Sequence, residues 1–247
     1  MENIAALYLA HLNPITNAHE KIISQLAKDY HVYVFPVVFL KKGREINTRT
    51  FPFPYELRKK MLQSLFDGQD NIEILPHYKF VSPFIKYLPP IISPYSWAIR
   101  SGILHDVLED RFISYTGDKA ERIALRFYNL HPIKAKRLEI SSTNVKELLY
   151  REALKNLRKD EHNSNMRNSF DHSNHNNHPN YHKDTNIQDT LKEESWQDMV
   201  PKTVVRIITE NWNIVEKFAQ ALDKTIKIFC KRKNYDSCMS GRILSDI

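Results

Sequence analysis

Cysteine is nearly absent: Cys230 and Cys238 are the two in 247 residues, near the C-terminal end and in neither a disulfide framework nor a zinc-ligand spacing. A reducing compartment follows as the expectation, and with it a cytoplasmic protein. No run of roughly 18 apolar residues occurs, so no membrane-spanning helix and no membrane partner are expected. The apolar residues 4–9 are too few, and lack the basic flank, for a secretion signal. What the chain does have is 42% hydrophobic and 11% aromatic residues, enough to bury one substantial core and a small accessory element. A net charge of +7 and a pI near 9.2 suit nucleic acid, an anionic surface or a small polyanion. The basic residues are scattered instead of forming one block, which favours the small polyanion over a nucleic-acid stripe.

The stretch 10–19, AHLNPITNAH, organises the rest. It lies between an apolar run, 4–9, and an amphipathic segment, 20–30. A strand that turns at Asn13, Pro14 and Thr16 and then starts a helix aims uncapped backbone N–H groups at one spot, with the positive end of the helix dipole behind them. Such a spot suits a phosphate. His19 falls in the first helical turn, and Thr16 adds a hydroxyl three residues earlier. A second stretch, 140–146 (ISSTNVK), follows a predicted strand at 133–139 and runs into the helical KELLYREALKNL. There Ser141, Ser142 and Thr143 gather hydroxyls and free N–H groups at a helix start, with Lys146 one turn on. Ordinary capping explains either stretch alone; two cradles in this order are harder to obtain by chance.

The remaining pattern is α/β. Residues 31–40 (HVYVFPVVFL) read as a buried parallel strand in which Pro36 is discordant, followed by KKGRE with Lys41 and Lys42 at the strand end. A helix starting near Pro54 places Leu57, Met61 and Leu65 on one face. Strands are predicted at 71–75 and 111–115, the latter ending in Gly117 and Asp118, and a helix at 119–129. Between them, proline-dense residues 83–94 exclude a simple helix or central strand and lead to a helical stretch with Trp97. After Arg158 the composition changes to Asn, His and Ser, and residues 160–186 carry too little apolar surface to offset their ordering entropy. Five histidines there have irregular spacing and suggest adventitious metal binding at most. Order returns at Ser195. Pro201 opens a helix on which Val204, Ile207, Ile208, Trp212 and Val215 repeat. The expected organisation is a Rossmann-like open parallel sheet with helices on both faces over 1–157, a disordered insertion at 158–194, C-terminal helices at 195–223 and a basic tail at 224–247.

PITNAH, 14–19, resembles the TxGH/HxGH signature of the nucleotidyltransferase superfamily, and is especially similar to phosphopantetheine adenylyltransferases. ISSTNVK resembles the ISSTxxR motif of the same superfamily, with lysine at the arginine position. FPFPYELR and WQDMVP are similar to elements of nicotinamide mononucleotide adenylyltransferases. The resemblance covers 1–157 and 195–215. It implies in-line attack by an acceptor phosphate on the α-phosphorus of ATP, with release of pyrophosphate and with Mg2+ on the triphosphate instead of on protein ligands. The partners implied are ATP and a small phosphorylated acceptor, either 4′-phosphopantetheine or nicotinamide or nicotinate mononucleotide; a homo-oligomer is left open. Carried over by position, His19, Thr16 and Lys146 would be catalytic. Ala10, His11, Leu12, Gly117, Asp118, Ser141, Ser142 and Thr143 would bind the nucleotide, and Lys41, Lys42, Arg58 and Trp97 the acceptor. The chain departs from the pattern at Ala10 and Ala18, where glycines are usual, at Asn13, and after residue 115, where no arginine pair occurs. Two other readings stay open: a cytidylyltransferase acting on a phosphorylated alcohol, and a noncatalytic Rossmann-like module that binds RNA.

Overall fold

A computed structural model describes residues 4–41, 43–80, 100–116, 119–134, 141–170 and 194–221. Its centre is β1 (Ile4–Ala10), whose sequence IAALYLA is apolar on both sides of the pleat. Ala5, Leu7 and Leu9 point into one core, Ala6 and Tyr8 into another, as a parallel strand covered on both faces requires. From β1 the chain crosses through α1 (Asn17–Leu26) to β2 (His31–Lys41), parallel to β1 with Ala5 opposite His31 and Ala10 opposite Pro36. A two-residue strand, β3 (Arg44–Glu45), turns back antiparallel onto the end of β2. After α2 (Tyr55–Leu65), β4 (Ile72–Ile74) and β5 (His77–Phe80) lie parallel to successive stretches of β2.

The second half is laid on the other side of β1. There β6 (Arg111–Thr116) pairs with β1 in parallel, and α3 (Lys119–Phe127) leads to β7 (Pro132–Lys134) beside β6. The path across the sheet is β3-β2-β1-β6-β7, with β4 and β5 also on β2. Reversal of the winding direction at β1 opens a crevice beyond the carboxyl ends of β1 and β6, where open α/β sheets place their ligands. The chain then forms α4 (Ser142–Phe170), a 3-10 turn (Trp196–Met199), α5 (Lys202–Glu210) and α6 (Trp212–Ala219). Side chains of α1, α2, α4, α5 and α6 build the core on the Ala6 and Tyr8 face; Ile103, Leu125, Tyr128 and Leu130 close the opposite face.

Pro36 is tolerated for a positional reason. It lies opposite the last residue of β1, between the part of β2 that pairs with β4 (32–34) and the part that pairs with β5 (37–40), so the missing N–H falls where the ladders change. The C-terminal helix expected from apolar periodicity is two helices. Asn211 Nδ2 donates to the carbonyl of Ile207 at 2.8 Å, and this local side-chain bond competes with continued helix at the break. The helix α4 runs on to Phe170, past the change of composition at Arg158. Residues 171–193 and 222–247 lie outside the described residues. Among the described residues no helix is long and apolar enough to cross a membrane.

Truncation of Leu7, fully buried on the central strand, is expected to cost about 3 kcal/mol in urea unfolding, whereas Ile123→Ala, at a side chain 48% exposed, costs less than about 1 kcal/mol.

Candidate active site

The loop leaving β1 is held in an unusual conformation by buried polar bonds. Leu12 has φ +49°, a left-handed backbone that costs a residue with a β-carbon on the order of 1 kcal/mol, and its side chain is 1% exposed. Two neighbours fix it. Upstream, the carbonyl of His11 accepts from Arg58 Nη1 at 2.8 Å, and the same nitrogen reaches the carbonyl of Val37 at 3.0 Å. Downstream, Asn13 is paired with the backbone of Phe53: Nδ2 donates to its carbonyl at 2.8 Å, and Oδ1 accepts from its N–H at 3.1 Å. The Asn13–Pro14 peptide is cis. Arg58 is 2% exposed, and burial pushes its pKa down while Glu45, 3.4 Å from Nη2, pulls it back up. The Glu45 carboxylate also accepts the Tyr55 N–H, at 2.9 and 3.1 Å, and so sits on the positive end of α2.

Thr16 caps α1, and His19 occupies the third helical position that glutamate or glutamine fills in a capping box. The imidazole Nδ1 accepts from the Thr16 N–H at 3.0 Å, with the Thr16 hydroxyl also 3.0 Å away. An Nδ1 lone pair used in this way puts the proton of the neutral ring on Nε2. Burial pushes the pKa of His19 down to about 4, so at neutral pH the ring is uncharged and offers a single N–H donor. The Thr16 hydroxyl, expected to face a phosphate, faces the ring instead, in a fully buried residue.

The start of α4 meets this loop directly. Ser142 Oγ donates to the carbonyl of Pro14 at 2.9 Å, across 128 positions of sequence. Ser141 serves the helix itself: its hydroxyl accepts from the Asn144 N–H at 3.3 Å and donates to Asn144 Oδ1 at 2.9 Å, while Thr143 is exposed. One turn on, Lys146 is 8% exposed, and its ammonium donates to the carbonyl of Thr50 at 2.7 Å and lies 5.7 Å from the centre of the Phe51 ring. Burial pushes its pKa down to about 8, with the neighbouring Glu147 acting in the opposite direction. Among the described residues it forms no ion pair. A buried ammonium held by one neutral carbonyl and a ring face suits an anion that is not part of the chain.

The structure therefore joins the start of α4 to the first loop through Ser142 and Pro14, with Lys146 against Thr50 and Phe51, whose ring lies against His11. Arg58, expected to reach an acceptor, spends its guanidinium on the carbonyls beneath His11 and on Glu45. Lys41 ends β2, where its backbone pairs with Arg44. Lys42, Trp97, Gly117 and Asp118 lie outside the described residues. Sequence reasoning missed an aromatic cluster in which the exposed His11 ring lies 5.7 Å from Phe39 and 4.8 Å from Phe51, themselves 4.7 Å apart. It also missed Asn13 and the Thr50 carbonyl. An amide just before proline in a turn was a usable signal for Asn13; a backbone carbonyl carries none.

A family model described as cytidylyltransferase-like matches residues 8–148, which takes in both helix starts. No curated protein matches the chain in sequence. Among solved structures, a bifunctional NMN adenylyltransferase/ADP ribose pyrophosphatase of Francisella tularensis, complexed with AMP and a manganese ion, is 13% identical with a TM-score of 0.46, over 61% of this chain and 42% of that one. The chain thus spans less than half the length of that protein. Nicotinic acid mononucleotide adenylyltransferase of Plasmodium falciparum, complexed with NaAD, is 12% identical with a TM-score of 0.39, over 60% of this chain and 84% of that one.

Two stability measurements check the site's construction. Asn13→Ala strands the buried N–H and carbonyl of Phe53 and should cost on the order of 2–4 kcal/mol in urea unfolding. His19 is neutral when folded and binds a proton near pH 6.5 when unfolded. Its contribution is therefore complete above pH 6.5 and is lost as the pH falls toward 4, a change on the order of 3 kcal/mol. His19→Gln keeps an acceptor for the Thr16 N–H without titrating, so stability should fall less steeply between pH 6.5 and 4 than in the wild type.

Proposed function

Matched over more than half its length, the chain belongs to the cytidylyltransferase-like family of nucleotidyltransferases, and we propose that it transfers an adenylyl group from ATP to a small phosphorylated acceptor. The observation that carries this reading is the Ser142–Pro14 bond, which sets two helix beginnings side by side with a buried lysine next to them that has no ion-pair partner among the described residues. A triphosphate spanning both would meet backbone N–H groups, the exposed Thr143 hydroxyl, an ammonium and the His19 Nε2–H, all of which can donate.

In the proposed reaction a phosphate oxygen of the acceptor attacks the α-phosphorus in line. The bond to the β-phosphate oxygen breaks, and pyrophosphate leaves with those electrons. His19 donates from Nε2 to the α-phosphate as its charge redistributes, and Thr16 acts by holding the ring in the right tautomer. Ser141, Ser142, Thr143 and Lys146 hold the β- and γ-phosphates, which become the leaving group. Positioning and charge stabilisation suffice for such a transfer, and no residue need be modified. The donors around the cradle suit phosphate oxygens and not a cation, and among the described residues no group of three His, Cys, Asp or Glu could hold a metal ion. Magnesium, as the resemblance implies, would be carried on the triphosphate and neutralise its charge.

Of the acceptors open to this reading, a mononucleotide with a planar ring, nicotinamide or nicotinate mononucleotide, suits the site better than flexible phosphopantetheine. The aromatic cluster joins His11 of the first loop to Phe39 of β2 and Phe51 of the segment before α2, and a planar ring could stack on it.

Pyrophosphate release, measured with ATP or CTP against a panel of phosphorylated acceptors, tests the proposal; no turnover with any pair would overturn it. His19→Ala should lower kcat by about a hundredfold with little change in KM for ATP. Lys146 must be protonated to hold phosphate, so kcat/KM should be full below pH 8 and fall as the pH rises through about 8. Lys146→Arg, charged throughout, should remove that basic limb.

A further inference from the structure

Residues 49–53 form a strap in which nearly every residue ties the site to a different element. The carbonyls of Arg49 and Thr50 accept, respectively, from Tyr150 Oη and Lys146 Nζ, both at 2.7 Å. These two donors stand four residues apart on α4 and grip consecutive carbonyls. The ring of Phe51 lies against His11, and the backbone of Phe53 is paired with Asn13. At its other end the strap is anchored well away from the phosphate cradle. Arg49 crosses the face of Tyr150, with its guanidinium carbon 4.6 Å from the ring centre, and Nη1 donates to the carbonyls of Phe218, Ala219 and Ala221 at 3.0, 2.6 and 3.3 Å. A cation at those carbonyls meets the negative end of α6.

We propose that Arg49 and Tyr150 are positioning residues that hold the strap's carbonyls against α4 and thereby keep Lys146 turned inward beside the first loop. What Lys146 then does there rests on the nucleotidyl-transfer reading; where it sits does not. A lysine side chain near the start of a helix ordinarily extends its ammonium into water, because leaving water is costly. Inward placement needs a fixed acceptor, and Thr50 supplies it only while its peptide stays in place. That peptide lies in a turn outside helix and strand, where the Phe51 N–H donates to the Thr48 carbonyl at 2.9 Å and the Thr48 N–H to the Phe51 carbonyl at 3.1 Å. The turn itself is held by Tyr150 on one side and, through the Arg49 side chain, by the end of α6 on the other. Glu147, next on the helix, is the charged neighbour whose field acts on the ammonium.

The test reads Lys146 directly, as the pH dependence of its acetylation by acetic anhydride followed by mass spectrometry, in the full-length wild type and three variants. Wild-type labelling should half-titrate near pH 8. Tyr150→Phe removes the hydroxyl that grips Arg49, and Arg49→Met removes the anchor on α6. Each should move the midpoint up by about one pH unit or more toward the ordinary lysine range near 10.4, lowering labelling at pH 8 several-fold. Arg49→Lys brings three protons to the same carbonyls and should restore the wild-type midpoint. A merely structural role would lower the melting temperature and leave the midpoint alone. Midpoints that stay near the wild-type value in both Tyr150→Phe and Arg49→Met overturn the proposal whatever the variants' stability; if Arg49→Met does not fold, Tyr150→Phe decides. Because labelling needs no turnover, a wild type that releases no pyrophosphate would sink the nucleotidyl-transfer reading and leave this result standing.

Discussion

The hydroxyl of Ser142 donating to the carbonyl of Pro14 is a single neutral hydrogen bond, worth only about 1 kcal/mol by itself, yet the geometry of the crevice depends on it. It joins the helix that follows β1 to the helix that follows the last part of the sheet. Each helix start brings unsatisfied N–H groups and a partial positive charge. One such start is an ordinary feature of any helix. Two starts in contact add their partial positive charges in one place, and a buried lysine lies beside them. The lowered pKa values of Lys146 and His19 express the same constraint, burial that has removed water, which at Lys146 outweighs the opposing field of Glu147.

Accuracy in such a region comes from rigid backing. Leu12 is held left-handed because His11 and Asn13 on either side are bonded to Arg58 and Phe53, whose own positions are set by α2 and by the strap at 49–53. The imidazole of His19 is fixed through the capping box of its own helix, so helix initiation and ring orientation are one event. Polar bonds to backbone carbonyls recur throughout: Arg58 on His11 and Val37, Lys146 on Thr50, Arg49 on the end of α6. Such bonds orient a loop through its backbone.

Much of this was legible in the sequence, for physical reasons that can be named. The continuous apolar run of β1 and the aromatic, β-branched composition of β2 specify central strands, and PITNAH and SST mark helix starts through capping chemistry. These are local signals. The short strands β3 and β5 were not legible, since each is defined by the part of β2 it lies against. The break at Asn211 was hidden by an apolar period that continues through it. The resemblance of FPFPYELR carries Arg58 to a position near an acceptor and says nothing of its depth; with 2% of its surface exposed it is a support. The roles of Asn13, Arg49 and Tyr150 depend on carbonyls 40 to 172 residues away, which leave no trace in local composition.

The central claim is that both helix starts hold one triphosphate, and a crystal structure with a nonhydrolysable ATP analogue and magnesium tests it most directly. The account predicts an α-phosphate oxygen within about 3 Å of His19 Nε2, with the β- and γ-phosphates bonded to the first turn of α4 and to Lys146. An analogue bound to one helix start alone, with the other facing solvent, would contradict it.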